Sequence, residues 1–235
     1  MKIAILLPGQ PRFEPDFDSL LKNLTGYDHA DWFCYITNDH QLELHLTKSK
    51  LLDFWVDIKD EIAAKEWIQS KLPPNNTVRK LEFSDWRSAN LPDPFPRYPN
   101  KPFPMFYNLC GANNLRKQYQ LETNVNYDLV VRVRPDIGLI DEFDLRKINV
   151  NDLQNSIIIC ANKVVDGIHF NDQFAVGLPD IIDVYSDMIK EAPYNPYLTT
   201  PHPFYNIEKG FATYLQSKNI SWKNYQNLRI TLRGE

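Results

Sequence analysis

Lys2-Ile-Ala-Ile-Leu-Leu7, followed at once by Pro8-Gly9, is the stretch on which the fold turns. An apolar run of this length, stopped by two residues that break regular structure, is the pattern of a strand buried on both faces that runs into a loop. Leu20, Leu21 and Leu24 then predict a short helix that stops near Gly26. Asp31-Trp-Phe-Cys-Tyr-Ile-Thr37 predicts a second strand, ending at Asn38-Asp39. Strand, loop, helix and strand in this order open an α/β unit built on a parallel sheet.

Downstream the pattern stays mixed. Residues 42–72 read as helical, with Leu51, Leu52, Trp55, Ile58, Ile62, Trp67 and Ile68 able to share one face before Pro73-Pro74 stops it. Val78, Leu81 and Phe83 predict a strand over 78–83 at a sheet edge. Residues 90–104 hold six prolines, which forbid a helix interior or a central strand. The aromatic residues between them favour an ordered loop over a plain linker. Met105, Phe106, Leu109, Ala112, Leu115 and Tyr119 recur at helical spacing across 105–123. Tyr127-Asp-Leu-Val-Val-Arg-Val-Arg-Pro-Asp136 predicts a strand that would be central but for its two arginines. Strands are expected over 156–160, 174–176 and 228–232, and helices over 179–189 and 207–217, with a second Pro-rich loop over 192–204. The expected organisation is a single domain over 1–235: a first α/β part at 1–89, the Pro-rich loop at 90–104, and the central strand with the rest of the site at 105–235.

Composition narrows the function classes. With 235 residues, 43% hydrophobic and 24% charged, the chain can bury a core and is not intrinsically disordered. No apolar run approaches the roughly 20 residues that span a bilayer, and the apolar N-terminal run is too short for a signal-peptide core. Cys34, Cys110 and Cys160 are scattered and odd in number, which argues against a disulfide scaffold and against zinc, and for a cytoplasmic setting. A net charge of -4 without a Lys/Arg stripe argues against nucleic acid as partner.

In an open parallel sheet, ligands bind beyond the carboxyl ends of the strands, and four polar clusters fall there. Gly9, Gln10 and Arg12 follow the first strand: glycine permits close backbone approach, and arginine can clamp a phosphate, although a plain turn explains Pro8-Gly9 as well. Neither Gly-x-Gly-x-x-Gly nor a P-loop is present. Asn38 and Asp39 follow the second strand, where an acid commonly takes ribose hydroxyls; a helix cap is the alternative. Arg132, Arg134 and Asp136 alternate with Val131 and Val133 and so point to the other side of their strand. Burying two guanidiniums requires carboxylate or phosphate partners, and Asp136 at the exit is placed to hold a divalent cation on a diphosphate. The alternative is an internal Arg–Asp pair that only orients loops. Asn171, Asp172 and Gln173 lie between aromatics, where Asp172 is either a general base for a hydroxyl or a cap. Acyl-enzyme chemistry is disfavoured by five histidines with no nucleophile elbow.

The runs Ile5-Leu-Leu-Pro-Gly-Gln-Pro-Arg12, Tyr127–Asp136 and Asn171-Asp-Gln-Phe-Ala-Val-Gly177 resemble those of small glycosyltransferase-like proteins of bacterial polysaccharide loci and large DNA viruses. The resemblance implies the nucleotide-diphospho-sugar transferase fold called GT-A, a mostly parallel, mixed sheet flanked by helices. It also implies a nucleotide-sugar donor, a glycan or glycolipid acceptor, and a bacterial or host cytoplasm as the setting. By the same resemblance Gly9, Gln10 and Arg12 lie along the nucleotide, with Asn38 and Asp39 near base or ribose. GT-A proteins usually carry Asp-x-Asp to hold Mn or Mg. Here the place reads Arg134-Pro-Asp136, so Arg134 itself stands where it can neutralise the diphosphate, with Asp136 left for metal or sugar. Asp172 corresponds to the catalytic base of inverting members, with Asn171, Gln173 and Glu208 on the acceptor or supporting side. Two rival readings are a sugar nucleotidyltransferase, which normally wants a Gly-rich, lysine-bearing loop after strand one, and a non-catalytic carbohydrate-binding protein. The rings of Phe95, Tyr98, Phe103, Tyr194, Tyr197 and Phe204 are candidates to stack on sugars, with structural packing the alternative for each of them.

Overall fold

A computed structural model of the chain describes residues 1–9, 17–37, 60–85, 103–135, 137–160, 164–165, 168–170, 172–191, 195, 207–225 and 230–232. In chain order these form β1 (Lys2–Gly9), α1 (Phe17–Asn23), β2 (Leu24–Thr25), β3 (His29–Thr37), α2 (Glu61–Lys71), β4 (Asn76–Ser84) and α3 (Phe103–Thr123). There follow β5 (Leu129–Val133), β6 (Ile137–Leu139), β7 (Phe143–Asp144), β8 (Ser156–Cys160), β9 (Val164–Val165), β10 (Ile168–His169) and β11 (Phe174–Gly177). The chain continues through α4 (Pro179–Ser186), α5 (Met188–Glu191), α6 (Ile207–Ser217), β12 (Ser221–Tyr225) and β13 (Ile230–Leu232).

Seven of the strands make one mixed sheet in the order β12-β8-β11-β5-β1-β3-β4. Strand β1 runs parallel to both β3 and β5, β3 runs parallel to β4, and β12 parallel to β8. Only β11 is reversed, lying antiparallel to β5 and β8. Six residues of β1 are buried in succession, because both faces of a central parallel strand are covered. The expected α/β architecture, a mostly parallel mixed sheet with helices on it, is present; β4 is the edge strand that residues 78–83 predict.

The pleat sends side chains into two cores. Ile3, Ile5, Leu7, Val131 and Val133 pack with Phe17 and Leu20 of α1 and with Ala64 and Ile68 of α2. Ala4, Leu6 and Val130 pack on the other side with Phe106, Leu109, Ala112 and Leu115 of α3 and with Ile181, Tyr185 and Phe211 from α4 and α6. The apolar stripe read in 105–123 is therefore the buried face of α3, which leaves the sheet at Asn124, a residue with φ 56° whose amide bonds to Gln120 O at 2.8 Å. Helix α2 begins at the side chain of Asp60, which accepts from the Ala63 amide at 2.8 Å. The expected helix over 42–72 is described only from Glu61 onward, and residues 42–59 lie outside the described residues. Helix α4 starts with Pro179 in its first turn and ends at Ser186, so the expected helix over 179–189 is two helices with a turn at Asp187.

Asp31 pins the amino ends of the central strands. Its carboxylate is fully buried and accepts from Tyr127 Oη at 2.8 Å and from Arg79 Nε, with His29 Nε2 at 2.7 Å and Lys2 Nζ at 3.5 Å. A buried carboxylate is tolerable only when its oxygens are satisfied in this way. Burial pushes its pKa up, but the hydrogen bonds from Tyr127, Arg79 and His29 outweigh burial and hold it below the ordinary value. On the α3 side, Arg116 of α3 is buried and pairs with Asp183 of α4, while its Nε donates to Asn113 at 2.9 Å.

Candidate functional site

Of the expected site residues, Gly9, Arg132, Arg134, Asp172 and Gln173 lie at the carboxyl end of the sheet. Gly9 closes β1 with φ +120°, a conformation strained for any residue with a Cβ, and a Cβ there would stand 3.9 Å from Pro135. The last residue of β1 and the turn after β5 therefore meet at the centre of the sheet. Gln10, Arg12, Asn38, Asp39, Asp136 and Asn171 lie outside the described residues, as do Phe95, Tyr98, Tyr194, Tyr197, Phe204 and the side chain of Phe103.

Arg132 is the central observation. It sits on β5 opposite Leu6 of β1 and Ala175 of β11, on the face that carries Val130 and away from Val131 and Val133. The alternation read from sequence is thus what the pleat delivers. Its side chain is 1% exposed, and Nε and Nη1 have no hydrogen-bond partner. No carboxylate among the described residues pairs with it; Asp136, the acid of the internal Arg–Asp pair entertained from sequence, lies outside them. A buried guanidinium left in this state costs several kcal/mol, which the fold sustains only if something else is gained.

Asp172 enters from the reversed strand. It is buried, two residues before β11, and no hydrogen bond to its carboxylate is found among the described residues. The next residue, Gln173, is also buried, and its carbonyl accepts from the Arg134 amide at 3.2 Å, which ties the exit of β5 to the entry of β11. Arg134 is half-buried and Glu208, in the first turn of α6, is buried; both are engaged by neighbours. Tyr185, stacked on Phe211 with ring centroids 5.1 Å apart, donates from Oη to Asp172 O at 3.4 Å.

Arg132 and Asp172 act on the same two neighbours. Burial raises the Cys160 thiol to about 12, with Asp172 adding to the rise and Arg132 opposing it. Tyr185 is raised by burial as well, and it too feels Arg132 lowering and Asp172 raising its pKa. Cys160 is thus an inert thiol at neutral pH rather than a nucleophile. The arrangement can bind an anion through Arg132 and can take a proton on Asp172. No group of three or more His, Cys, Asp or Glu able to hold a metal occurs among the described residues, which do not include Asp136.

A second polar group at the same end of the sheet escaped the sequence reading. Asn108 of α3 donates from Nδ2 to Thr37 Oγ1 at 2.7 Å and accepts from Ser84 Oγ, so it joins the ends of β3 and β4. Beside it, Tyr35 of β3 and Tyr107 of α3 both donate to Asp85 Oδ1, at 3.1 and 2.6 Å. Asp85 directly follows β4, so the strand-end criterion that selected Asp39 and Asp136 would have found it had it been applied to the edge strand.

No protein-family model matches the chain, and no curated protein matches it. No helix among the described residues is long and apolar enough to cross a membrane.

Proposed function

We propose that the chain is a glycosyltransferase of GT-A type that moves a sugar from a nucleotide-diphospho-sugar donor to a hydroxyl of a glycan or glycolipid acceptor. One observation supports this above others: the buried Arg132, with Nε and Nη1 unpartnered, at the carboxyl end of a central parallel strand, and the Asp172 carboxylate, which accepts no hydrogen bond among the described residues, entering from the neighbouring strand. Phosphate oxygens would give Arg132 Nε and Nη1 the charge-assisted hydrogen bonds they lack, and a carboxylate with no hydrogen bond among the described residues is open to a substrate proton.

In the proposed reaction the donor's diphosphate lies against Arg132, with Arg134 on the adjoining turn and the Gly9 backbone facing the same space. Asp172 takes the proton of the acceptor hydroxyl as its oxygen bonds to the anomeric carbon. The bond from that carbon to the diphosphate oxygen breaks on the opposite face, and its electron pair leaves with the diphosphate, whose charge Arg132 stabilises. Attack from the face opposite the leaving group inverts the anomeric centre. Asp136 is the residue to which metal dependence would attach.

The deciding measurement is a thermal-shift series with nucleotide diphosphates and nucleotide sugars, with and without manganese. The wild-type chain is expected to be stabilised, Arg132→Gln to lose that stabilisation, and Asp172→Asn to bind donor but transfer about a hundredfold more slowly or worse. An absence of shift with every nucleotide sinks the reading. A folded Asp172→Asn variant with undiminished transfer removes Asp172 as base.

A further inference from the structure

We infer that Tyr35, Tyr107 and Asp85 form a second ligand subsite, one that takes the vicinal diol of a sugar ring. Both phenol hydroxyls donate to a single carboxylate oxygen of Asp85, Oδ1, and no other residue donates to this carboxylate among the described residues. Oδ2 accepts from no other side chain among the described residues. Asp85 is exposed, and hydrogen bonds to an exposed carboxylate add little to stability, so the fold gains little from committing two tyrosines to it. The commitment has a use if the carboxylate must be held in one orientation for something else.

The rings are held as firmly as the carboxylate. Tyr35 lies on the backbone of α3 at Gly111, where a Cβ would stand 2.5 Å from the ring, so only glycine gives the ring this seat. The Tyr107 ring is 6.0 Å away, centroid to centroid, and tilted by 57°. Asn108, the next residue of α3, is bonded to both strand ends and fixes the helix over them. The hydrogen bond from Tyr107 holds Asp85 below the ordinary carboxylate range, against slight burial, and burial together with Asp85 raises both phenols. Acceptor and donors thus keep their roles across the physiological range. A carboxylate that only accepts, flanked by half-buried tyrosine rings, is matched by a molecule with adjacent hydroxyl donors and an apolar C–H face, which is a sugar ring.

Distance separates this subsite from the anion site. Strand order runs β5-β1-β3-β4, so the strand that precedes Asp85 lies three spacings from the one that carries Arg132, about 14 Å at ~4.8 Å each. One monosaccharide cannot touch both. The diol belongs either to a glycan or to the ribose of a nucleoside. Its assignment to the acceptor glycan rests on the transferase reading; the diol subsite itself does not.

The test is saturation-transfer NMR of the whole chain with two phosphate-free probe sets, neutral oligosaccharides and nucleosides. At least one set is expected to contact the wild-type chain, and Asp85→Ala and Tyr107→Phe to weaken that contact about tenfold or more with melting temperature unchanged. Response to oligosaccharides assigns the diol to a glycan, and response to nucleosides alone assigns it to ribose. Silence from both sets, or an Asp85→Ala variant that binds as the wild type does, overturns the inference. An Asp85-dependent sugar contact in a chain that no nucleotide diphosphate stabilises would leave the subsite standing and the transferase reading overturned.

Discussion

At the amino end of the sheet Asp31 is fully buried and meets Tyr127, His29, Arg79 and Lys2, whereas at the carboxyl end Arg132 is buried to nearly the same degree with two donor nitrogens that meet nothing. Both groups carry a charge into a low-dielectric interior, where desolvation is costly unless it is offset by partners. The first is complete in the folded chain and ties three strands together by their starts. The second is incomplete, and it stands where the open ends of parallel strands leave room for a ligand. Under the proposed function, satisfaction rather than burial separates the charge that serves the fold from the one held for a substrate.

That contrast can be broken most directly at Asp31. Asp31→Ala leaves Arg79, His29 and Lys2 facing one another without their carboxylate, and chemical denaturation should show a loss of about 3 kcal/mol or more. The same group sets an acid limit. Its folded pKa is depressed, so its contribution is fully present above the unfolded value of ~3.9 and disappears as pH falls through the folded value. Wild-type stability should therefore drop below about pH 4, and the Asp31→Ala variant should lose part of that dependence.

The opposite sign is expected at Arg132. Replacement by methionine keeps the volume and removes the unsatisfied donors, so Arg132→Met should be neutral or more stable by about 1 kcal/mol while losing any shift with nucleotide diphosphates. A clear destabilisation would show that the guanidinium is satisfied by the fold, and the contrast between the two ends would fail. The smallest effect is expected on the surface, where Lys80 Nζ lies 2.8 Å from Glu122 in an ion pair whose acid is largely exposed. Glu122→Gln should leave the melting temperature unchanged within error.

Much of this architecture is legible in the residues. Burial on both faces forces β1 and β5 to be continuous apolar runs, and one buried face forces the helical repeat of α3, so these elements announce themselves. Strand β12 does not. Ser221-Trp-Lys-Asn-Tyr225 lies at the edge of the sheet with part of each face in water, and its composition reads as a loop. The break between α4 and α5 is equally hidden, since Pro179 to Glu191 keeps one helical stripe through the turn at Asp187. For the site, Arg132 was conspicuous as a charge inside an apolar run. Asp31, Tyr35, Tyr107 and Asp85 were not, because each looks ordinary in its own segment and acquires a role only from residues far along the chain.

The sequence by itself determined the α/β class, the central place of the Arg132 strand and the face to which Arg132 points, because strand periodicity and apolar continuity are local properties of the chain. Tertiary structure alone decided which charges are answered. Asp31 finds its partners on β1, β3, β4 and the entry to β5, Arg132 finds none among the described residues, and two tyrosines from different elements meet on one oxygen of Asp85. Hydrogen-bond satisfaction depends on which distant segments the register of the sheet brings within about 3 Å, and no local pattern in the sequence encodes that distance.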